Sequence, residues 1–102
     1  MSHVKKQYRQ GDYLFEKVSG LPEKRTLKAD RVVGEGEVTG HRHQVVRGRL
    51  WDADGELFVE SLGDAVVVHE EHGPIELPTG VFKVIRQKEF AGPALLPQFV
   101  RD

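Results

Sequence analysis

The residues with the most chemistry to offer are histidines, and four of the five in the chain fall in two short clusters. The stretch Gly34-Glu-Gly-Glu-Val-Thr-Gly-His-Arg-His43 gathers three glycines, two carboxylates and a His-x-His pair into ten residues. Side chains alternate along a strand, so His41 and His43 point the same way, and Glu37 and Thr39 join them unless Gly40 introduces a bulge. Neutral imidazole is a common ligand for zinc, iron, nickel and copper, and a carboxylate adds charge neutralisation. The pattern therefore points to a divalent metal. The second cluster, His69-Glu-Glu-His72, has its histidines at i and i+3, whereas the zinc-protease signature needs i and i+4 on a helix. In a straight strand these two would face opposite ways, so both reach one site only if the chain turns near Glu71-His72-Gly73-Pro74, as Gly-Pro favours. The expectation is that His41, His43 and His69 converge on a metal, with His72 and Glu37 as further ligands. Glu70 and Glu71 are then placed to orient an imidazole or to act as a general base. Such a site admits a metal-dependent enzyme acting on a small molecule.

Other chemistries leave weaker marks. With no cysteine in the chain, disulfides, thiolate nucleophiles and thiolate-bound zinc are excluded. Ser19 and Ser61 lack a nucleophile context, and neither Gly34-Glu-Gly36 nor Gly48-Arg49 forms a phosphate loop with its lysine. A metal-free alternative uses His41 or His43 as a base, with Arg47 or Arg49 holding a phosphate or carboxylate. A third reading is a nucleic-acid or protein-binding β module, with Tyr8, Tyr13, Phe15 and Trp51 stacking on bases beside Arg42, Arg47, Arg49, Arg86 and Lys88. A net charge of -1 disfavours a purely electrostatic nucleic-acid binder.

The elements that must position these residues read as strands. A chain of 102 residues with 38% hydrophobic and 30% charged residues supports one domain with one modest core. Tyr8 to Val18 reads as a strand pair or a bent strand, broken at Gln10-Gly11-Asp12, and Glu23 to Asp30 as an exposed loop or one helical turn. From Arg31 onward short β-prone runs alternate with glycine. Asp52-Ala-Asp-Gly55 is a tight turn between two strands, and Ala65 to His69 is apolar enough for a buried central strand. His72 to Gly80 reads as irregular or edge-like because of its two prolines, and Val81 to Phe90 as a long final strand. No stretch of ten or more residues carries a helical period. The expected fold is all-β, a small antiparallel barrel or a two-sheet sandwich over residues 1–102, with 91–102 a docked or frayed tail. No apolar run approaches the ~20 residues needed to span a bilayer, and the first residues carry no apolar signal segment, so a cytoplasmic location is expected.

Two resemblances follow from these motifs. Gly36-Glu-Val-Thr-Gly-His-Arg-His43 and Pro78-Thr-Gly80 resemble fragments of the cupin pattern, in which a glycine precedes an HxH pair and a later Pro-x-Gly turn precedes another histidine. The resemblance implies a cupin-like metal site. It departs from the pattern in its short glycine-to-histidine spacing, in lacking a glutamate at the expected distance after His43, and in Lys83 standing where the last histidine belongs. GEVTGHRH together with HEEHGPIELPTGVFKVIRQKEF is also similar to an uncharacterised family of small prokaryotic proteins, a likeness that spans most of the chain and carries no chemistry with it.

Overall fold

The computed structural model describes residues 7–35, 41–87, 89–90 and 97–98, and among them every regular element is a strand. Glu37, Thr39, Lys88 and most of the expected tail lie outside the described residues. The strands are β1 Gln7–Gln10, β2 Tyr13–Val18, β3 Thr26–Leu27, β4 Val32–Glu35, β5 Arg42–Val46 and β6 Arg49–Ala53. They continue with β7 Glu56–Ser61, β8 Ala65–Val68, β9 Ile75–Leu77, β10 Gly80–Arg86, β11 Glu89–Phe90 and β12 Pro97–Gln98. All pairings are antiparallel.

A six-stranded sheet runs β1-β2-β10-β7-β6-β3, a four-stranded sheet runs β4-β5-β8-β9, and β11 pairs with β12. Neither larger sheet returns to its first strand, so the molecule is a sandwich-like pair of sheets and not a closed barrel. Burial alternates as a one-sided sheet requires. On β5 His43 and Val45 are buried between Arg42, Gln44 and Val46, and on β8 Ala65 and Val67 are buried between Val66 and Val68. The larger sheet contributes Phe15, Leu50, Val59 and Phe82, all fully buried, and Leu77 closes the core from β9. Each such side chain contributes about 1.5–3 kcal/mol by leaving water. Tyr13 and Phe15 belong to this core, Tyr8 packs edge-on against Phe82, and Trp51 lies under Arg25 while donating to Glu60. Tyr13 and Phe15 are thus spent on the core, while Tyr8 and Trp51 are partly buried.

Two hairpins show how local sequence sets register. Ala53 faces Glu56, leaving Asp54-Gly55 as a two-residue loop with φ of 56° and 87°. Positive φ at both positions is the type I′ geometry that Asp-Gly favours. Gln10 faces Tyr13, and the loop between them, Gly11-Asp12, has positive φ at Gly11 (61°), as a type II′ turn requires of its first residue. The expected loop from Glu23 to Asp30 carries β3, a short edge strand on β6. The expected long strand from Val81 ends at Arg86 instead of Phe90, and Gln87 turns its N–H onto the carbonyl of Asp12. The strand therefore stops at the tip of the β1–β2 hairpin.

Candidate metal centre

That tip is tucked into the open end between the two sheets, where β5 begins and β8 finishes. His43 is fully buried on the inner face of β5. His69 follows β8, and its Nδ1 accepts the backbone N–H of Glu71 at 3.0 Å and of His72 at 3.2 Å. Those bonds make the turn that a straight strand would not, and they bring the His72 ring back beside His69, with centroids 4.6 Å apart. The His43 ring lies 4.2 Å from His69, and the His41 ring lies 5.5 Å from His69. All four histidines singled out by spacing therefore converge. Glu37 lies outside the described residues.

Hydrogen bonding fixes which nitrogen each ring presents. The Gln10 amide Nε2 donates to the carbonyls of Val67 at 2.9 Å and Gly73 at 2.8 Å. Its Oε1 must then be the atom facing His43 Nδ1 at 2.9 Å, and Nδ1 must carry the proton. A neutral His43 consequently presents a lone pair at Nε2. His69 is the reverse, because an Nδ1 that accepts two N–H groups leaves the proton of the neutral ring on Nε2. His69 is oriented as a donor.

His43 Nε2 points toward Asp12 Oδ1 at 4.0 Å, both side chains being shut off from solvent. Arg86 Nε donates to the other Asp12 oxygen at 2.8 Å and lies over the Tyr13 ring, which in turn packs edge-on against His43 at 4.7 Å. Asp12 Oδ1 and His72 Nε2 are buried and make no hydrogen bond among the described residues. Buried polar atoms are almost always paired, so these two mark a place at the end of the sandwich where a further polar partner fits. Gly11 leaves the room: a Cβ there would stand 2.9 Å from His72 Nε2 and 3.2 Å from His43 Cε1.

At the mouth, His41, His69 and Glu70 each bring one ligand atom to within 4.8 Å of the others. Two features weigh against that trio as it stands. The Arg42 backbone N–H donated to Glu70 Oε1 holds the Glu70 carboxyl below its ordinary range, helped by its own N–H and by the nearby His41 and His69. Glu70 is thus already pinning the start of β5. His69, for its part, offers no lone pair except by releasing its turn. His41 Nδ1 faces Glu71 Oε1 at 3.6 Å.

Sequence reasoning missed Gln10, Asp12 and Arg86. The only signal available was a pair of polar residues flanking Gly11, which any hairpin could carry. Arg47 and Arg49, paired with the histidines in the metal-free alternative, instead line a cavity at the far end of β5. Lys83, at the position of the missing cupin-like histidine, pairs with Glu56 at 3.0 Å on the outer surface. None of the described segments is a helix long and apolar enough to cross a membrane.

Residues 9–87 match the family described as a domain of unknown function (DUF8820), and the chain belongs to that family. No curated protein and no solved structure matches it.

Proposed function

We propose that this protein binds a divalent transition-metal ion at the buried end of the sandwich, between His43 Nε2 and Asp12 Oδ1, with His72 Nε2 as the next donor. The observation that carries the reading is the clamp on His43. Metal-ligating histidines almost always donate their second ring N–H to an oxygen that fixes tautomer and orientation, and Gln10, itself held by two carbonyls, supplies that oxygen. The 4.0 Å separation of His43 Nε2 and Asp12 Oδ1 is too long for a hydrogen bond. Two ligands about 2.1 Å from one tetrahedral ion lie roughly 3.4 Å apart, so the pair closes on an ion with a shift of about half an ångström. Arg86 orients the carboxylate by holding its other oxygen. Two histidines and one carboxylate are suited to zinc, iron or nickel and leave coordination positions for water or a small-molecule ligand.

The compactness of His41, His69 and Glu70 favours a second placement at the mouth. The two are separated by elemental analysis of protein purified without a histidine tag, followed by titration with Zn(II) and Ni(II). The inner site predicts that Asp12→Asn and His72→Ala each weaken binding by at least the roughly 10–100-fold that loss of even an outer partner of a ligand costs, while Glu70→Gln leaves it within a few-fold. Loss of metal in Glu70→Gln with retention in Asp12→Asn would move the ion to the mouth. Failure of the unmodified protein to bind either metal would sink both placements.

A further inference from the structure

At the opposite end of β5, roughly 13 Å from His43 at ~3.3 Å per residue, a cavity of about 190 Å³ is lined by three arginines, Arg31, Arg47 and Arg49. Leu62, Glu60 and Asp64 complete its walls, and Leu62 is 76% exposed. The backbone here is unusual. Arg31 and Arg47 both have φ of 58°, and they are two of the three described non-glycine residues in the left-handed region. Glycine or asparagine fills such positions at the least steric cost, so a long cationic side chain at both, facing one cavity, is what the turn geometry does not explain.

The corner that carries two of these side chains is held firmly. Gly48, between Arg47 and Arg49, sits so close to β8 that a Cβ on it would lie 2.7 Å from the Cβ of Ala65. Arg31 is fixed from both sides of its peptide, its N–H on the Lys28 carbonyl and its own carbonyl accepting from Val45. The guanidiniums are lightly committed. Among the described residues Arg47 Nε donates only to the Asp64 carbonyl at 3.4 Å, and Arg49 approaches Glu60 at 3.9 Å, where the same carboxylate oxygen already accepts from Trp51 at 3.0 Å. Arg31 makes no ion pair among the described residues.

We infer that this cavity is a binding site for a phosphate group carried on a small organic molecule. Three arginines lining one cavity offer the forked donors that match phosphate oxygens, and they outnumber the two carboxylates in the wall. The cavity has room for a phosphate and for part of the group that carries it, and the rest of the ligand leaves over the exposed Leu62, which gives an apolar portion something to cover.

The test uses the full chain in chelator-treated, phosphate-free buffer, so that the histidine cluster cannot recruit anion through a metal. Amide and arginine side-chain NMR signals are followed during titration with inorganic phosphate and with phenyl phosphate, and sulfate serves as the control for general anion attraction. Saturable shifts at Arg31, Arg47, Gly48 and Leu62 are expected, with phenyl phosphate binding at least several-fold more tightly than inorganic phosphate. Equal response to phosphate and phenyl phosphate would make free phosphate the ligand and overturn the organic portion of the inference. Equal response to sulfate would overturn phosphate recognition. Arg31→Gly and Arg47→Gly provide the decisive arm, because glycine accepts the same backbone conformation at lower cost. Both variants should keep or raise the melting temperature while weakening phenyl phosphate at least tenfold. A lowered melting temperature with unchanged binding would show that the arginines serve the fold alone and would overturn the site.

Discussion

Gln10 is the residue on which the proposed metal centre and the joining of the two sheets both depend, and Gln10→Ala separates the consequences. The side chain leaves β1 in the larger sheet and makes three buried or part-buried hydrogen bonds, to the carbonyls of Val67 and Gly73 and from Nδ1 of His43. An intramolecular hydrogen bond contributes about 1 kcal/mol net, and a stranded buried partner costs about 1–3 kcal/mol. The two carbonyls keep a second lone pair for other donors, so the His43 N–H dominates the penalty, and a total of about 3 kcal/mol is expected. For a domain of this size 1 kcal/mol shifts the melting temperature by roughly 4–8 °C, which gives a fall on the order of 15 °C. Thermal denaturation monitored by circular dichroism reads this directly. Gln10→Glu sharpens the result, since a carboxylate still accepts from Nδ1 but has no donor for the two carbonyls; it should be no more stable than Gln10→Ala. Long-range proton–nitrogen correlation spectra of the unmodified protein should find the neutral His43 ring protonated at Nδ1. A proton on Nε2 would refute the orientation of the clamp, and a melting temperature for Gln10→Ala within about 2 °C of the parent would refute its contribution to stability.

Two other predictions test the surroundings. Gly34→Ala would place its Cβ 1.8 Å from the Tyr13 hydroxyl and 2.5 Å from Cζ, so the Tyr13 ring must move off His43. Such overpacking costs about 1–3 kcal/mol; Gly34→Ala should lower the melting temperature and shift the His43 resonances, whereas Gly20→Ala, which meets nothing within 4 Å, should do neither. Asp30 is held below its ordinary value of 3.8 by the Lys28 ammonium bonded to it and by the Val32 N–H. A lowered folded value means that its contribution is complete above 3.8 and is lost as pH falls through the lowered value. NMR titration should place the Asp30 midpoint below 3.8, and a midpoint at or above that value would contradict the two bonds.

What the sequence conveyed follows from how far apart the cooperating residues lie. The Asp54-Gly55 hairpin and the buried β8 were legible because turn chemistry and apolar run are local signals. The convergence of His41, His43, His69 and His72 was legible from spacing and from the turn that Gly73-Pro74 favours, although the turn is made by His69 Nδ1 itself. Sandwich and barrel could not be told apart, since the decision rests on which strands become neighbours. β2 pairs with β10, bringing Tyr13 opposite Arg86, and no local pattern announces a partner that distant. The same pairing delivers Arg86 to Asp12. Gln10 and Asp12 were hidden for a different reason: a polar residue on either side of glycine is ordinary hairpin composition, and only burial of the hairpin tip turns it into a site.

That burial is itself the strongest sign of function. A sandwich end needs closing, and apolar side chains close it without the cost of desolvating a carboxylate, a guanidinium and several imidazoles. Here the end is closed by Asp12, Gln10 and His43, all at most 3% exposed, with Asp12 Oδ1 and His72 Nε2 making no hydrogen bond among the described residues. Asp12 and Gln10 come from the larger sheet and His43 from the smaller, so the polar cluster forms only when the two sheets are docked. Apolar replacement of the whole cluster would give the same closure with fewer constraints, and natural chains break such rules chiefly where a ligand repays the cost. An ion between Asp12 and His43 would do so by linking the β1–β2 hairpin to β5, adding its binding energy to the docking of the sheets.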